Sequence, residues 1–137
     1  MRIHFIGIGG IGVSALAKYY LEKGHHVSGS DLVDTEITQA LTKKGAKISI
    51  GPHHAENIPF RADTIIYSPA VQRTNPELQY AKTMQSRASS AARVDLQAHP
   101  SSEANVAILS YPEALGKLTE QHYTIAVSGT HGKSTTT

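Results

Sequence analysis

No cysteine occurs in the 137 residues, which excludes disulfides and thiolate metal sites and suits a reducing cytoplasm. Long apolar runs are missing too. Ile3 to Ile8 is largely apolar, but this stretch is too short for a membrane span and lacks the flanks of a signal peptide. A charge excess of one sign is also missing. Thirteen Lys and Arg against 11 Asp and Glu leave +2 with histidine neutral, too little to argue for nucleic acid or a membrane surface. The eight histidines add positive charge only as pH falls. No internal repeat is visible. With 39% hydrophobic and 18% charged residues, the chain has the composition of a globular protein with one real core. The expectation is a cytoplasmic protein.

Arg2 to Gly7 reads as a short strand buried on both faces. Val13, Leu16, Ala17, Tyr20 and Leu21 then recur at helical spacing, and Gly24 is a helix stop. His26 to Ser30 is a second strand ending at Asp31. Thr35 caps a second helix that presents Ile37, Ala40 and Leu41 inward and stops at Gly45. Lys47 to Ile50 and Asp63 to Tyr67 are the third and fourth strands. Asn75-Pro76-Glu77 opens a helix with proline in its first turn. Val106 to Leu109, Pro112 to Glu120 and Thr124 to Val127 give strand, helix and strand. This alternation with short connections predicts an α/β fold, a Rossmann-like parallel sheet with right-handed crossovers and helices on both faces. Residues 85–105, rich in Ser and Ala, break the rhythm as either a helix plus loop or a mobile insertion.

Two glycine-rich segments carry the chemistry. Gly7, Gly9 and Gly12 satisfy G-x-G-x-x-G between a strand and a helix. In that pattern the first glycine permits the turn, the second admits a pyrophosphate and the third lets helix and strand pack closely. Gly10 is an extra glycine inside the motif. Asp31 closes the second strand, where an acid can bind ribose hydroxyls. The loop does not distinguish a dinucleotide from a nucleotide-sugar, since both offer a pyrophosphate and a ribose.

The second segment is Gly129-Thr130-His131-Gly132-Lys133-Ser134-Thr135, after the apolar run from Tyr123 to Val127. The ordinary phosphate loop, G-x-x-x-x-G-K-[ST], needs glycine where this chain has Val127. The shorter form Gly129-x-x-Gly132-Lys133-Ser134 fits instead. The sequence stops before the helix that such a loop opens, so the expectation is the front piece of a longer protein. Residues 1–121 are read as a nucleotide-binding domain with an insertion at 85–105, and residues 122–137 as the start of a second, truncated domain.

Two phosphate loops in one chain, the second of this short form, resemble the Mur ligases, the ATP-dependent amide ligases of peptidoglycan precursor synthesis. Phe5 to Ser14, Ser28 to Asp31, Pro52 to Asn57, Tyr67 to Val71 and Asn75 to Glu77 look like the members that join L-alanine to UDP-N-acetylmuramic acid. The resemblance implies a first domain that holds the UDP-sugar and a central domain that binds ATP and magnesium. In such enzymes the sugar carboxylate takes the γ-phosphate to give an acyl phosphate, which the amine of alanine opens to an amide.

Residue by residue, the resemblance implies that Gly9, Gly10, Ile11 and Gly12 meet the diphosphate through backbone N–H groups and that Ser14 adds a hydroxyl. It places Ser30 and Asp31 on ribose or uracil, His53 on the nucleotide, and Ser68 and Ala70 in the cleft wall. Gly129 to Gly132 wrap the ATP phosphates, Lys133 reaches the β/γ-phosphates, Thr135 follows in the loop, and Ser134 ligates magnesium in the full-length enzyme. The 137 residues alone are expected to be inactive, with no cofactor of their own, no nucleic-acid partner and no membrane span.

Two departures stand out. Pro52 replaces the glycine that the family carries before the histidine at 53, and Tyr111-Pro112-Glu113 replaces an Arg-Ala-Glu helix start. Two other readings stay open. A recycling ligase that adds a whole tripeptide to the same UDP-sugar would share this first domain. An NAD-dependent oxidoreductase domain would share the glycine loop and Asp31, though hydride transfer needs no second phosphate cradle.

Overall fold

The computed structural model describes residues 1–94 and 105–121. The elements are β1 (Arg2–Ile6), α1 (Ile11–Glu22), β2 (His26–Asp31), α2 (Glu36–Lys43), β3 (Lys47–Ile50), a 3-10 turn (Ala55–Asn57), β4 (Thr64–Tyr67), α3 (Pro76–Val94), β5 (Ala107–Ser110) and α4 (Tyr111–Glu120). The strands form one five-stranded sheet in the order β3-β2-β1-β4-β5, and every pairing is parallel. The strand and phosphate loop expected at 124–135 lie outside the described residues.

Alternation along β1 explains why both faces of the sheet are covered. Ile3 and Phe5 enter one core with Val13, Leu16 and Ala17 of α1, Leu41 of α2 and Ala114 of α4. Ile6 points the other way, joining Ile65 of β4, Leu78 and Ala81 of α3, and Val106. Successive strand residues face opposite sides, so a central strand between two helical layers must be apolar on both. Beyond the exposed Arg2, β1 meets that demand except at His4, which is fully buried.

From β1 the chain steps outward through β2 to β3, then crosses back to place β4 on the other side of β1. The crossover over 51–63 contains only the 3-10 turn, which packs against α3. The reversal between β1 and β4 opens a crevice beyond the carboxyl ends of the two strands, where ligands bind in open α/β sheets.

Among the described residues the predicted elements are present, with some bounds shifted. β4 begins at Thr64, and β5 is Ala107–Ser110. α4 starts at Tyr111 because Ser110 caps it: the hydroxyl accepts from Glu113 N–H, and the Glu113 carboxylate accepts from Ser110 N–H. Of the two readings of 85–105, the first part is helix. α3 continues unbroken to Val94, with Ser89 and Ser90 hydroxyls donating to the carbonyls of Gln85 and Ser86.

Candidate functional site

The loops that follow β1 and β4 touch at the crevice. Gly7 has φ +78°, and a Cβ there would lie 3.0 Å from Ser68 Cβ, so only glycine lets the two loops approach this closely. Gly7 and Ile8 N–H both donate to Ser30 O, at 2.9 and 3.0 Å, while Ser68 N–H donates to Ile6 O at 2.9 Å. A cleft of about 520 Å³ opens above them, lined among others by Gly10, Asp31, His53, Ser68, Ala70 and Asn75. α1 begins at the cleft with Gly10 as its N-cap and no side-chain cap. Its first N–H groups are therefore left for a ligand or water, as an anion-binding helix start requires.

The remaining candidates are arranged in ways the motif did not show. Gly9 N–H donates to Asp31 Oδ2 at 2.7 Å, and a Cβ on Gly9 would come within 2.8 Å of that oxygen. Asp31 thus ties β2 to the glycine loop while also lining the cleft. Ile11, the first residue of α1, exposes most of its side chain. Gly12 makes room for an aromatic ring and not for a strand: a Cβ there would lie 2.7 Å from the ring of Tyr111 at the start of α4. The hydroxyl of Ser14 donates to Ile11 O at 2.9 Å. It turns back into its own helix, as serine commonly does inside a helix, and is absent from the residues lining the cleft.

Beneath the cleft lies a polar network centred on Glu77, which is fully buried. Asn75 Oδ1 accepts from the N–H groups of Glu77 and Leu78, at 2.9 and 3.2 Å, and so caps α3. Glu77 then sits in the first helical turn, where the macrodipole favours a negative charge. Its Oε1 lies 3.1 Å from His4 Nε2, and His4 Nδ1 lies 2.9 Å from Ser28 Oγ. Its Oε2 accepts from Ser30 Oγ at 2.5 Å and also meets His53 Nδ1. Among the described residues no buried side-chain polar atom lacks a hydrogen-bond partner.

Burial by itself pushes the Glu77 carboxyl up, but hydrogen bonds from His4, Ser30 and His53, with the nearby charge of His4, outweigh it and hold the group below the ordinary 4.5. The site therefore keeps a carboxylate beneath the cleft. It is held from β1, β2 and α3 at once, on the face of the sheet that α3 covers.

Glu77, His4 and Ser28 were not among the sequence candidates. The signal for Glu77 was present only as a helix start, in Asn75-Pro76-Glu77. For His4 it was an imidazole at an inward position of an otherwise apolar strand. Among the described residues no group of three or more His, Cys, Asp or Glu is arranged to hold a metal ion. The ATP and magnesium candidates, Gly129 to Thr135, lie outside the described residues.

Comparison with known proteins follows the same segments. A family profile described as the Mur ligase family, catalytic domain, matches residues 2–95. A UDP-N-acetylmuramate–L-alanine ligase of Campylobacter jejuni subsp. jejuni serotype O:23/36 (strain 81-176) is 46% identical over 135 residues, which is 98% of this chain and 26% of that protein. The crystal structure of a UDP-N-acetylmuramate-alanine ligase from Thermotoga maritima superposes with a TM-score of 0.72 at 35% identity, covering 99% of this chain and 27% of that one. A murein peptide ligase from Psychrobacter arcticus 273-4 superposes with a TM-score of 0.71 at 26% identity, covering 99% of this chain and 24% of that one. The chain thus spans about a quarter of the length of the relatives it matches. The profile match runs from β1, through both loops that bound the cleft, to the helix that carries Glu77, and by it the chain belongs to the Mur ligase family.

Proposed function

We propose that the chain is the UDP-N-acetylmuramate-binding part of an ATP-dependent ligase that joins L-alanine to UDP-N-acetylmuramic acid in peptidoglycan precursor synthesis. The observation that carries this reading is the cleft at the β1–β4 reversal, with an uncapped helix start on one wall and Asp31 and His53 on the other. In this reading the diphosphate meets the N–H groups of Gly10, Ile11 and Gly12. Asp31 takes a ribose hydroxyl with the oxygen that it does not commit to Gly9. His53 meets the base, over Ser30 and Glu77. Ser68 and Ala70 close the β4 side.

ATP and magnesium fall to residues 129–135, where the glycine backbone, Lys133 and the Ser134 hydroxyl supply the donor types that a triphosphate and its cation need. ATP supplies the phosphoryl group that activates the sugar carboxylate. The residues described in the structure bind and orient the UDP portion and take no part in that transfer. Because 135 residues of this chain match only 26% of the Campylobacter ligase, the reading assigns binding, and not turnover, to the 137 residues alone. A cytoplasmic location follows from the substrates. Among the described residues no helix is long and apolar enough to cross a membrane.

A tripeptide-recycling ligase is the second reading, supported by the superposition on the Psychrobacter enzyme. The higher identity to the alanine ligases favours the first. Thermal melts with UDP-N-acetylmuramate, UDP and NADH test the site. A ligand at 100 times its dissociation constant stabilises the fold by about 2.7 kcal/mol, and the two uridine ligands are expected to raise the melting temperature. A rise with NADH and none with either uridine ligand overturns the reading.

A further inference from the structure

His53 engages the network through one ring nitrogen only. Nδ1 meets Glu77 Oε2 and lies 3.1 Å from Ser30 Oγ. Nε2 has no hydrogen-bond partner among the described residues. It is not a buried unpartnered atom, since none of these occurs there. It is therefore open to solvent, on a ring that lines the cleft.

Glu77 decides what that free nitrogen offers. An ionised carboxylate is an acceptor on both oxygens, so the nitrogen facing it must carry a proton. The hydrogen bond at one imidazole nitrogen sets the state of the other. With Nδ1–H donating to Glu77, neutral His53 presents Nε2 to the cleft as a lone pair. Neutral imidazole in water prefers the opposite arrangement, so the protein must hold this one in place. The hold is firm on the Glu77 side. Its carboxylate is buried, fixed by His4 and Ser30, and carried on a helix start pinned by Asn75.

We propose that Glu77 is a positioning residue that keeps His53 in the Nδ1–H tautomer, so that Nε2 accepts a hydrogen bond from the bound nucleotide and selects a base with a ring N–H, uracil, over cytosine. The proposal rests on the UDP-sugar reading of the cleft. Uracil carries a proton on N3, which an acceptor on the protein satisfies. Cytosine carries a lone pair there, which would face the lone pair of Nε2. Leaving both unpaired in a desolvated site is what makes such discrimination large.

Two measurements on the 137-residue chain test this. Long-range 15N–1H spectra over a pH series read the tautomer of His53 in its neutral form, and the expected result is Nδ1–H. Titration calorimetry with UDP and CDP reads the preference, expected to be at least about tenfold for UDP, the ratio that about 1.4 kcal/mol supplies. In Glu77→Gln, one acceptor becomes an NH2 donor. The variant is expected to shift His53 toward Nε2–H and to lose most of the preference while still binding the diphosphate.

The Nε2–H form in the unaltered chain, or a UDP preference below tenfold, overturns the proposal. So does a folded Glu77→Gln that keeps both the tautomer and the preference. If that variant fails to fold, the two measurements on the unaltered chain still decide. Absence of binding by UDP, CDP and UDP-N-acetylmuramate alike overturns the site reading and the proposal with it. Tight UDP binding without preference removes the proposal alone.

Discussion

Glu77 accepts hydrogen bonds from three side chains in a place closed to water, and this makes it the residue whose loss should be felt most. Glu77→Ala leaves the donors of His4, Ser30 and His53 facing a void. Removing one partner of a buried charged network costs about 3–5 kcal/mol, and urea unfolding should show a loss of that size. The pH dependence has a definite sign. The folded-state value lies below the ordinary 4.5, so the stabilisation is fully present above about that pH. It is lost as pH falls through the lowered value. The stability gap between the unaltered chain and Glu77→Gln should therefore narrow in acid below the ordinary value, and a gap that widens there contradicts the network. At this scale the sequence showed only part of the site. Asp31 was legible from the strand end that it closes, whereas Ser30, His53 and Ser68 came only through the family resemblance. Glu77 was not, because its partners lie 73, 47 and 24 positions away, and only the parallel crossovers bring them together.

Among the elements, periodicity located the strands and helices well, since an apolar strand or an amphipathic turn is a local property. Close approaches between elements are not local, and there the sequence was silent. Gly29 read as an ordinary strand residue. A Cβ there would lie 2.8 Å from Phe5 O and 2.7 Å from Ile8 Cδ1, so the position is glycine because β1 and its loop press on β2. Gly29→Ala should cost about 1–3 kcal/mol by overpacking, as a lower denaturation midpoint with an unchanged slope. Caps were easier to see. Thr35 was read as the N-cap of α2, and its side chain accepts from Thr38 N–H while Thr38 Oγ1 accepts from Thr35 N–H. Thr35→Ala should destabilise by about 1 kcal/mol, again read by urea unfolding. The Gly12–Tyr111 contact was missed because the motif's third glycine is ordinarily filled by the neighbouring strand, whereas here α4 reaches over it.

For the molecule as a whole, the sheet order places every candidate that the structure describes at one end of one sheet. Binding of a uridine ligand should therefore slow amide exchange at residues 7–12, 68–71 and 75–78 more than along α4, measured by hydrogen–deuterium exchange. Uniform protection, or none at the glycine loop, would speak against the cleft as the binding place. The polar network also acts on the assembly of the two layers. Most of the contact between α3 and the sheet is apolar, through Leu78, Ala81, Ile6 and Ile65, and greasy surfaces tolerate sliding. A helix displaced by one turn would leave the Glu77 carboxylate stranded against hydrocarbon, a misalignment far costlier than any lost methyl contact. His4, Ser28 and Ser30 thus behave as a keyway cut into the sheet, and Glu77 as the key that indexes α3 along it, so that the floor of the cleft can form at only one height.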